Sequence, residues 1–494
     1  MNPSTITNAR YRFGLRRLLL VLLLLLVLWP QRAAAYSLMT HEQLIDLTWQ
    51  DSIVPLLLSR YPNLTPAELE NARAYAYGGC VIQDIGYYPF GDQFFSDLTH
   101  YVRSGDFVVN LFRNAHNANE LAFAIGALSH YIGDSVGHPE ATNPAVSIEF
   151  PKLRARYGPA VNFAEGKHQH VQTEFAFDIN QIAHRRVAPL PYLRHVGLKV
   201  PVNQLGLAVY QTYGIRDFAG KKLHRFNVFE YRYAVRTFIP RIAYSVTLLH
   251  RSHEPAEADT ADAAEIEKEA AATGALDHWD AYRKKHPGFE TYALAVVIFV
   301  LPKVGPLSMV AVKGPTEATE ADYMHSLQLS VTALRQSLAR FTPLPPGVAQ
   351  PAAIAASGNS NQSAPSAPLP NDHRIDNAPP QEAVDPRHPL PDRDLDTGHV
   401  VQPGGYSLTD STYATLLHNL TRQPGNPIPP GIKSDIEAYY VNLDAPFTTK
   451  RDPAQWAQVR ADLQTLATMP TSTEPEPFPT YGNSAASQSA GQAQ

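Results

Sequence analysis

The sequence predicts an all-α protein: a multi-helix bundle, then a Pro-rich disordered linker and a small C-terminal helical segment. Three observations predict it. Apolar residues recur at helical spacing in HEQLIDLTWQDSIVPLLL, NELAFAIGALSHYIGD and FEYRYAVRTFIPRIAYSVTLLH. Strand signals are scarce, and Pro and Gly fall between the periodic segments, as short helix connections require. From about residue 341 the chain is dense in Pro, Ala, Ser, Asn and Asp, with little to bury.

The elements follow in order. Residues 1–35 join a basic cluster (Arg10 to Arg17), an apolar run (Leu18 to Trp29) and the small-residue site Ala33-Ala34-Ala35, the pattern of a secretory signal peptide. The run is shorter than the ~20 residues that span a bilayer. Cleavage after Ala35 makes Tyr36 the mature N-terminus and places the protein outside the cytoplasm, secreted or periplasmic. One cysteine, Cys80, excludes an intramolecular disulfide and reads as a buried small apolar residue. An exported chain without disulfides needs a large core, bound metal, or both. The net charge of −5 excludes a nucleic-acid binder held by charge alone.

Residues 36–340 form the main helical domain, with the chemistry concentrated in 36–250. The Ala- and Glu-rich stretch 256–283 reads as an exposed helix. The run TYALAVVIFVL, 291–301, is too short to cross a membrane and reads as buried core; the alternative is a lipid-facing element. Residues 341–405 are the linker, 406–470 a small helical module, and 471–494 a disordered tail. There is no internal repeat.

The chemistry begins in ALSHYIGDSVGHPE, where His130, Asp134 and His138 recur at intervals of four on one helical face. Pro139 biases His138 toward the helix end or just beyond it. Gly126, Gly133 and Gly137 leave room for a neighbouring helix. Polar groups turned inward from an apolar helix are costly unless satisfied, and a metal ion satisfies them. His170 and Glu174 repeat the four-residue spacing, with His168 as a competing ligand. Asp84, His100 and His41 complete a set of histidines and carboxylates that suits zinc. A lone His-x-x-x-Asp is common on helices; the co-occurrence gives the set its weight.

In order along the chain, Tyr36, His41, Asp84, His100, His130-Tyr-Ile-Gly-Asp134, His138 and His170-Val-Gln-Thr-Glu174 resemble the zinc-dependent phospholipase C family, which shares its fold with single-strand-specific nucleases. The resemblance covers roughly residues 36–250. It implies a helical bundle of the phospholipase C/nuclease type holding three zinc ions. One ion would take Asp84, His100, His130 and Asp134. A second would take the α-amino group and carbonyl of Tyr36, His41 and the other oxygen of Asp134. The third would take His138, His170 and Glu174. Asp84 is also a possible proton acceptor. Two positions depart from the family: Tyr36 stands where Trp is usual, and the interval from Asp134 to His138 is short, which leaves His138 or a nearby residue to complete the third site.

Three such ions beside three carboxylates leave an excess of roughly +3, suited to an anionic phosphodiester. The expected activity is therefore phosphodiester hydrolysis by a metal-activated water. The expected substrate is a phospholipid met at a membrane surface, with no nucleic acid and no obligate protein partner. A single-strand nuclease is the first alternative; Tyr87, Tyr88, Phe90, Phe94 and Phe95 near Asp84 could stack bases, clasp a choline-type cation or pack the core. A non-catalytic, metal-stapled surface protein is the second. Structural zinc sites are usually closed by four protein ligands, and the third site offers three side chains.

Overall fold

A computed structural model describes residues 38–87, 91–215, 232, 235–236, 239–249, 255–283, 289–300, 314–341 and 389–472. The predicted signal peptide, Tyr36, Tyr88, Phe90, most of the linker and nearly all of the tail lie outside the described residues.

The protein is mainly helical, with no named strand among the described residues. In chain order the helices are α1 (Leu38–Thr48), α2 (Val54–Arg60), α3 (Pro66–Gly79), α4 (Gln93–Tyr101), α5 (Ser104–Arg113), α6 (Ala118–Gly137), α7 (Asn143–Glu149), α8 (Pro151–Tyr157), α9 (Phe163–Ala183), α10 (Leu190–Val196), α11 (Val202–Tyr213), α12 (Ile239–Leu249), α13 (Ala261–Leu276), α14 (Trp279–Arg283), α15 (Phe289–Val300), α16 (Glu317–Phe341), α17 (Ser407–Thr421), α18 (Pro430–Tyr439) and α19 (Pro453–Thr468). Their starts are chemically marked. Thr65 and Glu68 form a capping box on α3, as Asn162 and Glu165 do on α9; Asn117 caps α6. Each cap satisfies amides that the first turn leaves unpaired.

Helix α6 is the axis of the bundle. From Leu121 to Gly137 every residue is buried, and α1, α3, α5 and α16 pack around it. Its closest approach is to α3. A Cβ on Gly126 would stand 2.2 Å from the Ala76 carbonyl oxygen, and one on Gly79 would stand 2.0 Å from that of Phe123. Only hydrogen fits at either point, so the two backbones touch. This contact sets Asp84, just past the end of α3, beside His130 on α6. Helix α3 is also tied to α1 and to the end of α13 through buried Arg73, which pairs with Asp46 at 2.5 Å and Asp277 at 2.7 Å.

Two expectations change and one gains detail. His138 stands just past the end of α6, as Pro139 predicts, yet keeps right-handed helical dihedrals, φ −64° and ψ −55°, because a π-helical turn, His138–Thr142, continues directly from α6. The wider turn accommodates Pro139, whose ring would clash in a regular α-turn. Helix α13 is not exposed all round: Ala263, Ile266, Ala270 and Thr273 are buried, and it packs on α16. Lastly, residues 389–405, which composition assigns to the linker, pack on the bundle. Tyr131 Oη donates to Pro391 O at 2.7 Å, Ser104 Oγ to Arg393 O at 2.6 Å, and the Asp106 amide to Asp392 Oδ1 at 3.0 Å. The helices that follow belong to the same core, with Tyr413, Leu416 and Leu417 of α17 continuous with Phe95 and Leu98 of α4. A Pro- and Asp-rich segment has few apolar side chains to bury, but its backbone and carboxylates find partners on α5 and α6.

The apolar run near residue 291 is buried on one side only. In α15, Thr291, Ala295 and Ile298 are buried, whereas Tyr292, Val296 and Phe299 are 46%, 62% and 70% exposed.

Candidate metal centre

Eight of the nine predicted ligand positions fall within the described residues, and all eight are buried. His41 lies on α1, Asp84 on the 3-10 turn Gln83–Gly86, His100 near the end of α4, His130 and Asp134 one turn apart on α6, His138 on the π-turn, and His170 and Glu174 one turn apart on α9. His168, the competing candidate, is only half buried. Elements well separated along the chain thus deliver these side chains to one interior.

They form two groups. In the first, one ligand atom from each of Asp84, His100, His130 and Asp134 lies within 4.8 Å of every other; in the second the same holds for His138, His170 and Glu174. Asp134 Oδ2 faces His130 Nε2 at 3.0 Å and His100 Nε2 at 3.3 Å. Its other oxygen, Oδ1, faces His41 Nε2 at 3.3 Å and His138 Nε2 at 3.9 Å. Asp84 Oδ1 stands 3.4 Å from His100 Nε2, and Asp84 Oδ2 stands 4.0 Å from His41 Nε2. Glu174 Oε1 faces His170 Nε2 at 3.0 Å and His138 Nε2 at 3.2 Å.

The rings are oriented from behind. His100 Nδ1 donates to Ser96 O at 2.7 Å, His130 Nδ1 to Cys80 O at 2.9 Å, and His138 Nδ1 to Leu395 O at 2.8 Å. A carbonyl only accepts, so Nδ1 carries the proton and Nε2 presents a lone pair to the interior. The Nε2 atoms of His100 and His130 are 3.4 Å apart. Two lone pairs at that distance repel unless a proton or a cation lies between them. Both oxygens of Asp84, both of Asp134 and both ring nitrogens of His170 are buried without a hydrogen bond. Orphaned buried polar atoms on this scale cost several kcal/mol in total. A divalent metal is the group they fit, and nitrogen with carboxylate oxygen is a zinc donor set.

Residues 40–222 match the model of a family described as zinc dependent phospholipase C. Over those residues the chain is similar to that family. No curated protein and no solved structure matches the chain.

Electrostatics in this region favour added positive charge. Burial alone would lower His100, but Asp134 and Asp84 outweigh it and hold the imidazole well above its ordinary value. Burial would raise Asp134, yet His130, His138 and His100 hold it well below the usual carboxylate range. For His170 and Glu174 of the second group burial dominates. It pushes His170 down to about 4 and Glu174 up to about 8. His170 is thus neutral and ready to ligate, while Glu174 lacks the counter-charge that a cation provides.

Of the aromatic candidates, Tyr87 and Phe95 are buried. Tyr87 donates to Asp97 at 3.1 Å, and its ring lies 5.3 Å from that of His100. Phe95 belongs to the core. Cys80 is fully buried and its thiol is pushed well up by burial; its backbone oxygen, not its sulfur, serves the site.

Sequence reasoning missed two carboxylates beside the centre. Asp178 extends the His170, Glu174 spacing by another four residues, and it accepts from Met39 N at 2.9 Å and Thr40 N at 3.1 Å, fixing the start of α1. The four-residue rhythm was the signal for it. The other, Asp396, had no local signal.

Proposed function

We propose that the chain is an exported zinc-dependent phosphodiester hydrolase whose substrate is a phospholipid, cleaved to diacylglycerol and a phosphorylated head group. The observation that carries this reading is the pair of buried histidine–carboxylate groups within the region that matches the family. His41, Asp84, His100, His130 and Asp134 would hold two ions with the help of the Tyr36 terminus; His138, His170 and Glu174 would hold a third. Zinc bound there supplies an acidified water near neutral pH and a positive field for the phosphoryl oxygens.

The remaining work falls to the chain. Asp134, turned to histidines on both of its oxygens, keeps the groups in register. Asp84 Oδ2, on the His41 side, would take the proton that leaves the attacking water. The Ser96 and Cys80 carbonyls hold the ring tautomers through the cycle. The packed bundle around α6 keeps bulk water from the interior, so charges there act at short range with little screening.

The exposed Tyr292, Val296 and Phe299 support transient contact with a lipid surface. They recur at helical spacing on α15, which packs on α12; α12 in turn packs on α9, the helix that carries His170 and Glu174. No described helix is long and apolar enough to cross a membrane.

The test compares head-group release from phospholipid vesicles with digestion of single-stranded nucleic acid, each with and without chelator, using the chain that begins at Tyr36. Head-group release that chelation abolishes before the protein unfolds supports the reading. Digestion of nucleic acid alone transfers the site to the nuclease alternative. No hydrolysis of either, with metal bound, favours a structural role for the ions.

A further inference from the structure

The family match ends at residue 222, yet one histidine of the second group is oriented from residue 395. The Leu395 carbonyl takes the His138 Nδ1 proton at 2.8 Å, and Asp396 Oδ1 lies 3.7 Å from the same nitrogen. Asp396 is itself locked. Its Oδ2 accepts from Tyr101 Oη at 2.9 Å and Tyr406 Oη at 2.5 Å, and its carbonyl accepts from Asn143 Nδ2 at 2.8 Å. The Leu395 amide donates to the His100 carbonyl at 3.1 Å, so the same dipeptide also touches a residue of the first group. Both residues are buried.

The docking is shaped on both sides. Along α5, a Cβ on Gly105 would stand 2.6 Å from Pro391 O and 2.7 Å from Leu390 O, so the incoming backbone lies directly on a residue without a side chain. Asp392 and Arg393 then pair with the Asp106 amide and Ser104. A carbonyl and a carboxylate behind a histidine, each held by its own partners, is the arrangement that sets a ligand's tautomer and raises its basicity. His100 and His130 obtain their carbonyls from nearby elements of the family region; His138 obtains its own from beyond the Pro-rich stretch.

We propose that residues 389–406 are a built-in clamp that completes the second metal group, with Leu395 and Asp396 as positioning residues for His138. The proposal rests on the zinc reading of the site. It gives the C-terminal region a role in metal binding. The family-matched segment is not the whole metal-binding unit, and occupancy of the His138, His170 and Glu174 group depends on the clamp being seated.

The experiment measures zinc stoichiometry and per-ion affinity, by metal analysis and competing chelator, in the full mature chain and three variants. Asp396→Asn removes the carboxylate charge. Tyr406→Phe removes one hydroxyl that holds Asp396 and that also accepts from the Ala164 amide at 3.1 Å. Gly105→Leu displaces the clamp without touching a ligand. Thermal unfolding of the metal-free proteins reports on the fold. In Asp396→Asn and Gly105→Leu, one zinc is expected to weaken by about 10–100-fold while the others stay within about 2-fold; Tyr406→Phe shows a smaller shift in the same ion. A structural defect alone would lower the metal-free melting temperature and weaken every ion together, and that result overturns the clamp. So does unchanged affinity of all ions in a folded Asp396→Asn. If the unmutated chain holds no zinc, the metal reading fails and takes the clamp with it.

Discussion

His41 Nε2 and Asp134 Oδ1 stand 3.3 Å apart, on the opposite side of the carboxylate from His100 and His130. Each oxygen of Asp134 therefore looks into a different set of nitrogens. A carboxylate in that position would join two ion sites, whereas Glu174 would serve the second group alone.

Asp134→Asn is accordingly expected to be worse than Glu174→Gln. Losing a residue behind a ligand already costs about 10–100-fold in metal affinity or activity, so loss of a shared ligand should exceed about 100-fold in hydrolysis and release more than one zinc. Glu174→Gln should release one. Metal analysis beside head-group release checks both; equal, mild effects would contradict a bridging role for Asp134.

The start of α1 is pinned by Asp178 through the amides of Met39 and Thr40 and the Thr40 hydroxyl, the last at 3.0 Å. Tyr36, the expected mature terminus, stands two residues before Leu38 in the chain. A chain that keeps Ala35 should lose the zinc assigned to His41 and fall at least about 100-fold in activity, and Asp178→Ala should weaken that same ion. Comparison of N-terminally defined preparations by metal content decides it. Normal zinc content and rate with Ala35 attached rule out the terminal ligand.

The contact between α3 and α6 is expected to tolerate no side chain. Gly126→Val must displace the Ala76 carbonyl, at a cost of at least ~2 kcal/mol in thermal or denaturant unfolding. Because this contact sets Asp84 beside His130, the variant should also bind zinc more weakly at the first group. A stable variant with full zinc content would show that the helices can part without disturbing the site.

Away from the metal centre, burial pushes Glu320 up to about 7, against hydrogen bonds from Gln181 and Arg186. Its folded value lies above its unfolded one, so the stabilisation from its protonated form is complete below about 4.5 and is lost as pH rises through about 7. The span corresponds to about 3 kcal/mol as an upper bound. Glu320→Gln should flatten the pH dependence of the melting temperature between those limits. An unchanged slope would assign that pH dependence to other groups.

Much of this was legible in the sequence. The helical periods of α1 and α6, the four-residue intervals of His130, Asp134 and His138 and of His170 and Glu174, and the inward face they share all follow from backbone geometry, which repeats locally. The same periodicity marks Gly126 as a place of close approach. What the tertiary structure alone decided is who stands behind whom. It selected His170 over His168, turned the two oxygens of Asp134 to different histidines, and gave His138 a carbonyl from Leu395, 257 residues away. It also drew 389–405 out of the linker and onto α5. Such choices depend on carbonyls, amides and single carboxylates meeting across the fold. Their identity leaves no period in the chain, because a backbone oxygen is the same in every residue and only packing determines which one faces a histidine.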